Sequence, residues 1–145
     1  IEPVNGLRSN DLLLAAREQG VDFDLISFSS DGQGSLPDFN DKGELIGLKV
    51  GKVTSLYDEV KKILDAGDFE LGEIIPLITK NPAEALGLKN KGFIAEGFDA
   101  DLVVADKNDY SIDKVFAKGE VMVDGGNPLI TGTFEKLREE GGNSE

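Results

Sequence analysis

The order of its patterns predicts a mixed α/β chain, with helix–strand–helix units first and antiparallel strands second. Three observations carry that prediction. Apolar residues recur at helical spacing between caps and glycines through residues 9–87. One apolar run among them, Leu25 to Ser29, reads as a short buried strand. Beyond Gly92, short strand-like runs alternate with glycine turns.

The first helix is capped by Ser9 or Asn10, runs through Leu12, Leu13, Ala16 and Arg17, and stops at Gly20. The strand follows, and residues 30–43 are turn-rich, with Gly32, Gly34, Pro37 and Gly43. Thr54 or Ser55 caps the next helix, and Ser55 with Asp58 matches a capping box. Leu56, Val60, Ile63 and Leu64 share one face of it, and Gly67 ends it. A third helix spans about Leu71 to Thr79 and should kink at Pro76, which has no N–H and clashes one turn back. Asn81 caps a short restart with Pro82 at its first position, and Gly87 closes it.

The pattern changes between Leu88 and Gly92, where a domain boundary is expected. Asp101–Ala105, Lys114–Ala117 and Glu120–Val123 read as strands, with Gly119 and Asp124-Gly125-Gly126 as turns. One buried strand cannot close a sheet, because a parallel strand needs neighbours on both edges. The chain also opens Ile1-Glu2-Pro3-Val4 without Met. Both features lead us to expect the tail of a larger α/β protein.

Composition narrows the function. The chain has 145 residues, 39% of them hydrophobic and 30% charged, the balance of a soluble globular protein of one or two domains. No apolar run approaches the ~20 residues that span a bilayer, so a membrane partner is not expected. A net charge of −13 argues against nucleic acid, whose phosphates attract Lys and Arg. The absence of Cys removes any disulfide framework and fits a reducing, cytoplasmic setting. With no His and no Cys, a His-paired nucleophile and a thiolate are both ruled out.

Several motifs fail on inspection. Asp38 to Gly43 resembles the start of an EF-hand loop, but Lys42 and Lys49 occupy its fifth and twelfth positions, where oxygen ligands are needed. A polar hairpin loop is the better reading. Gly51-Lys52 lacks the spacing and the following hydroxyl of a P-loop, and Gly32-Gln33-Gly34 lacks the third glycine of a dinucleotide fingerprint. Asp99 and Asp101 look like a carboxylate pair but read as turn residues that bond backbone donors. Asp31, after the strand-like run and before Gly32, is a turn residue or a chemical one; spacing alone leaves both open.

Two segments carry a family resemblance. Thr79-Lys80-Asn81-Pro82-Ala83-Glu84-Ala85-Leu86-Gly87-Leu88, Lys91-Gly92-Phe93-Ile94 and Gly97-Phe98-Asp99-Ala100-Asp101-Leu102-Val103-Val104 resemble the C-terminal signature of the metal-dependent amidohydrolase superfamily. Ser29-Ser30-Asp31-Gly32-Gln33-Gly34-Ser35-Leu36-Pro37 resembles the strand-eight region of isoaspartyl (β-aspartyl) dipeptidases. The ending Ile130-Thr131-Gly132-Thr133-Phe134-Glu135 is similar to that family's C-terminus.

The resemblance implies the last βα units of a (β/α)8 barrel over residues 1–90, strands of a small β-sandwich domain over 91–134 and a polar tail over 135–145. It implies a metallo-dipeptidase with two zinc ions at the strand ends, where barrel enzymes keep their chemistry. Asp31 would be a metal ligand and the general base and acid, and Ser35 a substrate contact. The paired histidines, bridging lysine and further histidines of that site have no counterpart in this chain. The implied partners are a dipeptide substrate, the N-terminal part of the same protein and a homo-oligomer. Taken alone, the chain is expected to be inactive and to bind zinc poorly. Two alternatives remain: a dihydroorotase, hydantoinase, deacetylase or deaminase relative, and a non-catalytic acidic interaction module.

Overall fold

A computed structural model describes residues 8–130. The chain divides into two compact units, Ile1–Phe93 and Ile94–Glu145. The motif from Thr131 onward and the tail 135–145 lie outside the described residues.

The first unit is built on helices. Helix α1 (Ser9–Glu18) ends against Gly20, whose φ of +71° breaks the turn. Neither expected cap serves: Ser9 is the first helical residue and Arg8 takes the cap position. Asn10 turns inward instead, 8% exposed, and donates Nδ2 to Asp68 Oδ2 at 2.7 Å. Helix α2 (Ser55–Ala66) ends at Gly67, with φ +82° and its N–H on the Leu64 carbonyl. Its Thr54 cap makes no side-chain bond, and Ser55 Oγ is buried without a partner, so the capping box does not form.

Helix α3 is a single turn (Leu71–Ile74) that tightens into a 3₁₀ segment over Ile75–Ile78. Pro76 supplies the cause: without an N–H it cannot continue an α ladder, so the expected kink becomes a change of helix type. Helix α4 (Lys80–Ala85) begins from Thr79, with Asn81 inside it rather than capping it. Asn81 is 4% exposed, and its Nδ2 reaches the carbonyls of Phe23 and Ile26, both at 2.7 Å.

The core collects residues from α1, α2, α3 and the 3₁₀ segment. Leu13, Val60, Ile63, Phe69, Ile74 and Leu77 are buried together, with Phe23, Ile26 and Phe28 packed against them. Arg17 closes the edge, its guanidinium 4.0 Å from the Phe69 ring centre.

The expected strand at Leu25–Ser29 is absent. Phe23–Leu25 is a 3₁₀ turn, Leu25 is 83% exposed and Ile26 continues in extended backbone. A strand exists only by pairing; among the described residues the backbone bonds here are the local ones of the 3₁₀ turn and one long-range bond from Phe28 N–H to the Leu77 carbonyl at 2.9 Å. The segment is held by helices and has no sheet neighbour among the described residues.

The turn-rich stretch instead opens into an antiparallel hairpin, β1 (Ser35–Phe39) and β2 (Leu45–Val50), with Ser35 opposite Val50 and Asp38 opposite Gly47. Its loop is the polar hairpin loop read from Asp38–Gly43: Asn40 Oδ1 accepts from Lys42 N–H and Glu44 N–H, both at 3.0 Å.

The second unit is a four-stranded antiparallel sheet in the order β3 (Leu102–Ala105), β4 (Ile112–Ala117), β5 (Glu120–Asp124), β6 (Asn127–Pro128). Lys118 and Gly119 make a two-residue turn with φ of +51° and +83°, the geometry that matches strand twist. Asp101 Oδ1 accepts the Lys118 N–H at 2.7 Å, so it serves a backbone donor as expected, though one 17 residues away. The mixed α/β class holds; the expected barrel strand is not paired within the described residues.

Candidate active-site loop

Ser29 to Gly34 leads the chain from the helical core into β1, and backbone bonds fix its shape. The Gly34 N–H closes a turn on the Asp31 carbonyl at 2.9 Å. Gln33 N–H reaches the Gly51 carbonyl at 3.0 Å, and Gly51 N–H returns to the Gly34 carbonyl at 2.9 Å. These two bonds extend the hairpin ladder past Ser35 and tie the loop to the far end of β2. Ser30 Oγ accepts the Gly32 N–H at 3.1 Å.

The loop is strained. Asp31 has φ +47° and Gln33 φ +66°, and neither is glycine. Left-handed backbone of this kind costs on the order of 1 kcal/mol per residue and gathers at functional sites.

Asp31 is exposed, and its carboxylate has no hydrogen bond or ion pair among the described residues. It therefore follows no strand, contrary to the expected placement, but stands at the mouth of a hairpin. Ser35 is exposed as the first residue of β1, so its hydroxyl caps no helix. The structure thus sets Asp31 on a short turn and Ser35 on the strand residue that directly follows it.

The residues fit one arm of a metal site. An unpaired exposed carboxylate can ligate a cation, but no group of three His, Cys, Asp or Glu converges among the described residues. Zinc normally takes three or four protein ligands, with nitrogen or sulfur among them. Any metal held by Asp31 would need donors beyond the described residues.

A groove of about 670 Å³ lies nearby, walled by Arg8, Ser30, Gly51, Lys52, Ser55 and Lys62 among others. Neither Asp31 nor Ser35 lines it. Sequence reasoning missed Gly51 and the β1–β2 pairing that brings it under the loop. The signal was present in two short apolar runs flanking Asn40–Gly43.

Comparison with known proteins decides the family: the model described as "Amidohydrolase family" matches residues 7–122. The chain belongs to the amidohydrolase family. A solved β-aspartyl dipeptidase from Fervidobacterium islandicum AW-1, in complex with a β-Asp-Leu dipeptide, is 37% identical with a TM-score of 0.75. That match covers 92% of this chain and 35% of the dipeptidase chain. The α-D-ribose 1-methylphosphonate 5-triphosphate diphosphatase of Escherichia coli (strain K12) is 41% identical over 70 residues, 46% of this chain and 18% of that protein. An adenine deaminase of Methanothrix thermoacetophila is 33% identical over 79 residues, 54% of this chain and 13% of that protein. This amidohydrolase chain therefore spans about a third of the dipeptidase's length and under a fifth of the other two. Among the described residues, no helix is long and apolar enough to cross a membrane.

Proposed function

We propose that this chain is part of a zinc-dependent hydrolase that cleaves isoaspartyl dipeptides, with Asp31 at its chemical centre and Ser35 contacting substrate. The observation that carries the reading is the likeness to the β-aspartyl dipeptidase across 92% of the chain. Asp31 is the residue of this chain that would hold zinc, beside ligands supplied from outside it. Bound zinc supplies Lewis acidity and a lowered water pKa. The Asp31 carboxylate would take a proton from the attacking water and pass it to the departing amine, a task for a positioned group within hydrogen-bond reach. Its lack of partners among the described residues suits that task, because no bond to them must break first. The same reading makes the remaining polypeptide of this protein an obligatory partner, with a homo-oligomer in the cytoplasm as the working form.

The test is hydrolysis of β-Asp-Leu by the complete protein and by its Asp31→Ala variant. Loss of a proton-transfer group should lower kcat by about 10²–10⁴. Near-normal turnover by Asp31→Ala would sink the assignment. The similarity to an adenine deaminase gives the second reading, in which the same loop serves deamination. Release of ammonia from adenine without cleavage of β-Asp-Leu would select it.

A further inference from the structure

We infer that Gly51, together with Gly34, forms a socket that positions Asp31. The inference rests on the reading of Asp31 given above and extends it to residues that make no chemistry of their own. Gly51 is buried, at the end of β2. A Cβ built on it would sit 2.5 Å from the Asp31 carbonyl oxygen and 3.2 Å from the Asp31 carbonyl carbon. A Cβ on Gly34 would sit 2.7 Å from Asp31 Oδ1 and 2.8 Å from its Cγ. Asp31 is thus touched from two directions, at its backbone by Gly51 and at its carboxylate by Gly34.

The contact at Gly51 cannot be relieved by rotating a side chain, and a carboxylate turned away from position 34 would still leave the Asp31 carbonyl oxygen 2.8 Å from a Cβ there. The atom facing Gly51 is backbone, and two hydrogen bonds hold that backbone in place: Gln33 N–H to the Gly51 carbonyl and Gly51 N–H to the Gly34 carbonyl. A Cβ essentially never comes within 3.0 Å of another heavy atom, so a side chain at position 51 would drive the Asp31 backbone away by at least roughly 0.5 Å. Misplacing a catalytic group by about 1 Å can cost up to ~10²-fold in rate. Gly47 supplies the contrast. It lies within β2, four residues before Gly51, yet a Cβ there meets nothing within 4 Å. Glycine at 51 and 34 answers to the space beside Asp31 and not to membership of the hairpin.

The experiment uses the complete protein with β-Asp-Leu as substrate and compares Gly51→Ala, Gly34→Ala, Gly47→Ala and Asp31→Asn. Gly51→Ala and Gly34→Ala should each lower kcat about tenfold to a hundredfold, with KM within about threefold. Their melting temperatures should stay close to that of Gly47→Ala, whose kcat stays at wild-type level. A purely structural role would lower the melting temperature and leave the kcat of the folded enzyme unchanged. The inference is overturned if Gly51→Ala and Gly34→Ala turn over like Gly47→Ala while Asp31→Asn is inactive, or if Gly51→Ala unfolds the helical core. If Asp31→Asn itself stays active, the functional reading has failed and not merely the socket.

Discussion

The helical core and the β1–β2 ribbon of the first unit use the same kinds of side chain to opposite ends. Ile74 and Leu77 are 0% exposed, and Val60 and Ile63 are 1% exposed. On the ribbon, Phe39 is 56% exposed, Ile46 62%, Leu48 72% and Val50 65%. Pairing explains which face is bare. Ser35 lies opposite Val50 and Pro37 opposite Leu48, so an uncharged row lines one side, while Asp38, half-buried Lys49 and Leu36 line the other. The face that carries charge is the half-covered one, and the apolar face is open. Helices that follow one another along the chain can bury each other's stripes locally, whereas a two-stranded ribbon has no such neighbour and is marginal alone. The Asp31 loop sits at the seam between these regions, anchored to helices on one side and to the ribbon on the other.

The comparison can be broken most directly in the core. Leu77→Ala should cost about 2–5 kcal/mol, because a fully buried leucine loses its contacts and leaves a cavity. Denaturant melts of the complete protein measure this, and a change below 1 kcal/mol would show that the core is not where the stability lies. Asn81→Ala should cost about 1–3 kcal/mol, since it leaves the half-buried Ile26 carbonyl without its side-chain donor and takes one of two donors from the Phe23 carbonyl. Hydrogen exchange on the same variant should be faster at the Phe28 amide, which hangs from the neighbouring Leu77 carbonyl.

The ribbon should behave in the opposite way. Leu48→Ser should change core stability by less than about 0.5 kcal/mol, as an exposed substitution does. In the 145-residue chain alone it should reduce self-association in sedimentation velocity, because an open apolar face is sticky. Unchanged association would locate the sticky surface elsewhere.

The smallest effect belongs to the exposed ion pair of the second unit. The Asp124 carboxylate, hydrogen-bonded by Lys114, is held below the usual carboxylate range. Lys114, bonded by Asp124, is held above the usual lysine range. A lowered carboxylate stabilises above its unfolded pKa and loses that contribution as pH falls through its folded value. A raised lysine stabilises below its unfolded pKa and loses its contribution as pH rises through its folded value. The sheet should therefore lose a little stability at both pH extremes, and Lys114→Met should flatten both flanks. A pH series of thermal melts comparing wild type with Lys114→Met checks this, and salt should mute it.

The fate of two asparagines shows how far the sequence reaches. Asn10 and Asn81 both precede apolar helical runs, so local rules make them caps. Each instead turns inward and bonds a group more than 50 residues away: Asn10 to Asp68, Asn81 to Phe23 and Ile26. A cap and a long-range tie use the same amide, and only the arrangement of distant backbone selects between them. Leu25–Ser29 failed for a related reason, since an apolar extended run becomes a strand only beside a partner. At the candidate site, Asp31 and Ser35 were singled out because family likeness reached them. Gly51 was not, because the residue that constrains it is 20 positions away in the chain.

By itself, the sequence determined the helices, the glycine stops at Gly20 and Gly67, the hairpin loop at Asn40 and the strand-and-turn texture beyond Gly92. These are local, decided by side-chain period and by the few residues that tolerate positive φ. Tertiary structure alone decided that Asp31 is clasped between Gly34 and Gly51, and that the ribbon turns its apolar face outward. Those outcomes depend on which backbones approach one another, and close approach is a property of space, not of neighbouring letters.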